Sequence, residues 1–209
     1  MGIANRGFKR LSNYSFLDGS RKIIWFIRGY CKKPLLFLRQ LRCYFYTKCW
    51  IDNILGSVYF KTICNNVKIG KEATIYPNVV FEFAEDACLT IGDNFTFSYG
   101  AILSARHSVK IGNYVMIGEY SSVRDTTHVY ENKSVPYCKQ PDRFEEIIIG
   151  DNVWIGRGCV ILPGSVIENG VIVGAHSVVK GILKANCIYA GNPVKLIREM
   201  NEENLALLQ

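Results

Sequence analysis

From about residue 54 onward an apolar residue recurs at every sixth position. In the last part the pattern runs without a slip, through Ile149, Ile155, Ile161, Ile167, Val173 and Val179. The same register appears earlier in three blocks of three: Ile69, Ile75 and Phe81, then Ile91, Phe97 and Leu103, then Ile111, Ile117 and Val123. The second position of the unit is often Gly and the fifth is small or aliphatic. Such a period marks a repeat architecture. Three hexapeptides make one coil of a triangular prism, so residues eighteen apart, such as Ile149 and Ile167, stack on one side. Each short strand then pairs with its copies in the coils above and below, while one row of side chains fills the interior. Burying each inward Ile or Val contributes roughly 1.5–3 kcal/mol, so stability comes from stacking many coils. Gly or Asn at the corners, as in GDN at 92–94 and 150–152, suits left-handed turns that a β-branched residue resists.

Two interruptions break the period. The blocks starting at Ile91 and Ile111 are twenty residues apart, which predicts a small corner loop around Arg106–Ser108. Between Val123 and Ile149 the gap is twenty-six. One hexapeptide fills 123–128, and residues 129–146 (VYENKSVPYCKQPDRFEE) form a protruding loop, a length that in a regular solenoid usually has a function.

The ends of the chain read differently. RKIIWFIRGY at 21–30 and PLLFLRQLRCYFYTKC at 34–49 mix bulky apolar residues with Arg and Lys, and Pro34 suits the first turn of a helix. Residues 1–53 therefore form a basic amphipathic helical segment, 54–193 the all-β repeat domain, and 194–209 a short C-terminal helix. The net charge of +7 resides in the N-terminal segment, which carries 11 Lys and Arg against Asp18 and Asp52. Neither N-terminal helix approaches the ~20 apolar residues that span a bilayer. Two readings stay open for them: packing against the prism or a sister subunit, and contact with an anionic membrane surface.

The eight cysteines include no C-x-x-C pair and no zinc-ligand spacing, so no metal is expected. MGIANRGFKR does not read as a secretory signal, and a reducing cytoplasm fits, with peripheral attachment to the inner face of the cytoplasmic membrane as an option. No nucleic-acid partner is expected. Only three histidines exist, His107, His128 and His176, so acid–base candidates near neutral pH are few. His128 ends the last hexapeptide before the long loop, where a side chain can leave the prism and meet a sheltered substrate. Asp125, three residues earlier, could orient that imidazole or meet an acceptor hydroxyl, or it is a solvated corner residue. His107 and His176 suit surface or packing roles. Three such separated histidines lack the close pair needed for a zinc site of the carbonic-anhydrase type.

The repeat, with GDNVWIG at 150–156 and AGNPVKLIREM at 190–200, resembles the hexapeptide-repeat acyltransferase superfamily over roughly residues 54–200, and within it the sugar and polysaccharide O-acetyltransferases. The resemblance implies a left-handed parallel β-helix, acetyl-CoA as acyl donor, and a homotrimer with active sites between neighbours. It makes His128 the general base. It places Trp154, Gly156, Ala175, Lys180 and Pro193 along the donor path, and lets Lys195 and Arg198 offer charge to the donor's phosphates. Where several relatives position substrate with an Asn one coil before the histidine, this chain has FSYGA, leaving Ser98 and Tyr99 as weak substitutes. The implied activity is O-acetylation of a sugar of a lipopolysaccharide, capsular polysaccharide or lipid-linked precursor. A small-molecule acetyltransferase acting on serine, an antibiotic or a nucleotide-linked amino sugar, and a non-catalytic β-helix scaffold, are the alternatives.

Overall fold

The computed structural model describes residues 34–200. Residues 34–47 form a helix, α1; the sequence-predicted helices over 21–30 and 201–209 lie outside the described residues. The rest is a left-handed parallel β-helix of about six turns. Its first face carries Asn53–Ile54, Thr74–Ile75, Thr96–Phe97, Met116–Ile117, Trp154–Ile155, Ile172–Val173 and Cys187–Ala190. The second runs from Val58–Phe60 to Val178–Val179, the third from Asn66–Ile69 to Ile182–Leu183. Every residue of the six-residue register from Ile75 to Val179 is buried, and Ile69 in the first coil is half-buried. Ile149 stacks on Ile167 as the eighteen-residue spacing requires.

The corners show why Gly-Asp/Asn recurs. The Asp93 backbone N–H donates to Asn113 Oδ1 at 2.8 Å, that of Asn113 to Asp151 Oδ1 at 2.6 Å, and that of Asp151 to Asn169 Oδ1 at 2.8 Å. Each side chain thus satisfies an amide of the coil before it. A Cβ on Gly92 would stand 2.5 Å from Asn113 Oδ1, so the stack excludes any other residue there.

Over residues 38–47, α1 packs on the first coil. Gln40 Nε2 donates to the carbonyls of Ile51 and Asp52, both at 3.0 Å, and the Tyr46 ring stacks on Phe60 at 4.8 Å between centroids. Burial pushes the Cys43 thiol up to about 12, and raises those of Cys49, Cys64 and Cys159, so these stay protonated and inert.

Two expectations are corrected. Lys195–Glu199, read as the start of a C-terminal helix, is a strand antiparallel to Cys187–Ala190. Five residues barely distinguish the two periods, and the open edge of the first face offers them backbone partners. The regular coil also ends before His128. Val123 is the last inward register residue before the loop, and Thr126–His128 forms an antiparallel ribbon with Asp142–Phe144.

Candidate active site

The chain leaves the prism at Asp125. Its carboxylate is fully buried and accepts the backbone N–H groups of Arg106, His107 and Ser108 at 2.7–2.8 Å, together with the Thr126 hydroxyl at 2.9 Å. Its own carbonyl accepts the Glu145 N–H at 3.0 Å, where the loop returns. The sequence left Asp125 to orient the imidazole, to meet an acceptor hydroxyl or to sit at a solvated corner. The structure commits its carboxylate to the Arg106–Ser108 corner instead, because three amides there have no other acceptor. Asp125 thus holds the corner that carries Arg106.

The acid beside His128 is Asp142, its cross-strand partner in the ribbon. His128 Nδ1 lies 2.8 Å from Asp142 Oδ1. Nδ1–H donating to a carboxylate fixes the neutral tautomer in which Nε2 carries the lone pair. The His128 side chain is 69% exposed, so Nε2 is open to a substrate. Sequence reading missed Asp142 because its pairing depends on a loop closing on itself; the signal present was Pro141-Asp-Arg-Phe, a short returning strand. Gln140 holds that closure, donating Nε2 to the carbonyls of Asn132 and Val135, both at 2.9 Å. Glu146 anchors the return by accepting from Ser108 Oγ at 2.6 Å and Lys110 Nζ at 2.8 Å; these contacts, Lys110 foremost, hold its carboxyl below the usual carboxylate range.

A cavity of about 370 Å³ opens beside His128, lined also by Arg106, Arg124, Thr126, Thr127 and Asp142. A second, larger groove of about 510 Å³ lies on the outside of the first face. Its lining includes Ser98, Trp154, Gly156 and Ala175, four of the residues singled out in the sequence, with Met116 and Arg157. Two columns build it. In one, Thr96, Met116, Trp154, Ile172 and Ile188 lie in register and end on Arg198. In the other, Gly118, Gly156 and Gly174 continue to Ala190, which pairs with Lys195. A Cβ on Gly156 would meet the Ala175 nitrogen at 2.7 Å, so coil stacking itself requires glycine and leaves bare backbone along the groove.

Lys180, Pro193, Lys195 and Arg198 do not line this groove. Tyr99 packs on Tyr76 at 4.9 Å beside Ser98. His107 sits 6.4 Å from Phe144, and the His176 ring lies over Gly158. Among the described residues no three His, Cys, Asp or Glu side chains are grouped to hold a metal ion.

Comparison with known proteins decides the family. The family model described as bacterial transferase hexapeptide (six repeats) matches residues 146–181. The chain is 31% identical to the "Putative lipopolysaccharide biosynthesis O-acetyl transferase WbbJ" of Escherichia coli (strain K12), over 56% of this chain and 75% of that protein. It belongs to the hexapeptide-repeat acyltransferases. Galactoside O-acetyltransferase of the same strain is 31% identical over 65% of each chain. Among solved structures, AntD, an N-acyltransferase from Bacillus cereus in complex with dTDP and 3-hydroxybutyryl-CoA, shares the fold. Its TM-score is 0.60 at 23% identity, over 74% of this hexapeptide-repeat chain and 83% of AntD.

Proposed function

We propose that this acyltransferase moves an acetyl group from acetyl-CoA to a hydroxyl of a saccharide, with His128 as general base. The observation that carries the reading is the Asp142–His128 pair, which leaves Nε2 basic and exposed at the mouth of a cavity. Nε2 takes the hydroxyl proton as the oxygen attacks the thioester carbonyl carbon. The tetrahedral intermediate then collapses, the C–S bond breaks, and the imidazolium returns the proton to the departing thiolate. Imidazole suits this work because it exchanges a proton near neutral pH.

The groove on the first face takes the donor: its bare glycine backbone and Trp154 fit the pantetheine arm, and Lys195 and Arg198, at the C-terminal end of both columns, meet the phosphates. The names of the relatives support a saccharide of a lipopolysaccharide or other polysaccharide as acceptor, taken here as the polymer or its lipid-linked precursor. The outward side of α1, with Leu38, Leu41, Tyr44 and Phe45 exposed beside Arg42 and Lys48, supports contact with an anionic membrane surface that carries such a precursor. No helix among the described residues is long and apolar enough to cross a membrane.

Groove and His128 share no lining residue, the one lying on the first face and the other on a ribbon between the second and third. A homotrimer resolves this by setting His128 of one copy against the groove of the next. The test is thiol release from acetyl-CoA with free oligosaccharides, nucleotide sugars and lipid-linked repeat units; no acceptor-dependent release from folded protein would count against transfer. Mixing inactive His128→Ala with inactive Ala175→Phe, which fills the exposed groove wall, is expected to restore activity after subunit exchange. Mixtures as dead as either parent would show that each chain works with its own groove.

A further inference from the structure

The cavity beside His128 holds two arginines, and their partners differ. Arg124 Nη2 donates to Glu82 Oε2 at 3.1 Å, and Glu82 also pairs with Lys61. Burial pushes the Glu82 carboxyl up, but the hydrogen bond from Lys61 and the charges of Arg124 and Lys61 outweigh it and hold it below the usual carboxylate range. Arg124 is thus partly neutralised. The Arg106 guanidinium makes no hydrogen bond or ion pair among the described residues, although Arg106 lines the cavity. Neither Asp142, which hydrogen-bonds His128, nor Asp125, which accepts from three amides and a hydroxyl, accepts from the guanidinium. The same buried Asp125 pins the Arg106 backbone N–H at 2.8 Å, so the arginine is held beside the ribbon rather than on a loose loop.

An exposed arginine whose guanidinium donors have no partner among the described residues, in the cavity of the general base, offers a forked site to an anion. The donor's phosphates do not account for it. The basic residues that extend the groove, Lys195 and Arg198, lie past the last coil, whereas Arg106 follows Ile102–Ala105, a strand on the N-terminal side of the one that leads into His128. We propose that the acceptor carries an anionic group, a carboxylate or a phosphate, and that Arg106, assisted by Arg124, binds it and turns the reacting hydroxyl toward His128. This rests on the transferase reading and names a chemical class within it. Arg106 is then a specificity-determining residue: it selects acidic or phosphorylated saccharides over neutral ones, and the planar guanidinium orients as well as attracts.

The experiment is titration calorimetry on the full chain and on Arg106→Gln and Arg106→Lys. The probes are methyl glucoside and methyl galactoside, the matching uronic acids, the matching sugar 1-phosphates, and acetyl-CoA. Either the uronic acids or the 1-phosphates are expected to bind wild type about tenfold more tightly than the neutral glycosides, and which series does so identifies the anion. Arg106→Gln should erase that preference and Arg106→Lys keep part of it, with acetyl-CoA binding unchanged in both. Wild type that binds acetyl-CoA but does not discriminate among the sugars would overturn this inference alone. Weakened acetyl-CoA binding in Arg106→Gln would assign the arginine to the donor and overturn it too. Wild type that fails to bind acetyl-CoA would bring down the transferase reading and this inference together.

Discussion

His128→Ala is expected to lower the turnover number for acetyl transfer about 10³-fold, within the range a general base contributes. The KM for acetyl-CoA should stay within about twofold of wild type, because a residue that acts only in the chemical step does not change ground-state binding and His128 does not line the donor groove. Folding should be unaffected, since the side chain is exposed and its loss leaves only the Asp142 carboxylate, itself solvent-accessible, without its partner. Asp142→Asn should give a smaller loss of turnover, because the imidazole remains but its tautomer is no longer held. Steady-state kinetics with thiol detection separates these outcomes. Turnover in His128→Ala within about threefold of wild type would remove the general-base assignment.

Asp125→Ala should lower stability by about 3–5 kcal/mol, more than the loss of any other polar side chain around the cavity. Removing a buried acceptor that serves several donors leaves each of them desolvated without a partner. Three of those donors are the amides of Arg106, His107 and Ser108, and the fourth is the Thr126 hydroxyl. Asp125→Asn should cost less, since an amide oxygen still accepts while its NH₂ faces donors. Denaturant unfolding reads the loss. The activity of the folded fraction should fall as well, because the same bonds place both Arg106 and the ribbon that carries His128. A variant that unfolds at the wild-type midpoint would show that water replaces the carboxylate at this corner.

How far the sequence was legible follows from the range of the interactions involved. The inward register, Ile75 through Val179, is a local pattern repeated until chance is excluded, and burial forces it: a one-residue slip would turn the whole apolar row to solvent. The GDN corners are legible for the same reason, as each Asp or Asn bonds to the coil before it. His128 could be singled out because histidines are few and it stands where the period fails. Ser98, Trp154, Gly156 and Ala175, drawn from four different hexapeptides, converge on one groove because coil stacking places them there.

The rest depended on contacts that no period encodes. Asp125 and Asp142 are both acids within reach of His128 in the chain or across the loop, and only the path of the backbone distinguishes them. The ribbon register sets Asp142 against Nδ1, while the corner at 106–108 captures Asp125. Likewise Lys195–Glu199 is too short for its own periodicity to choose between helix and strand, and the exposed edge of the first face chose strand. By itself, then, the sequence determined the coil and its corners, since these follow from burial repeated coil after coil. Only the tertiary structure decided which carboxylate holds the imidazole and which arginine is left without a hydrogen-bond partner beside it, because hydrogen bonds are satisfied by neighbours in space, one coil away along a strand stack or across a loop that must first close.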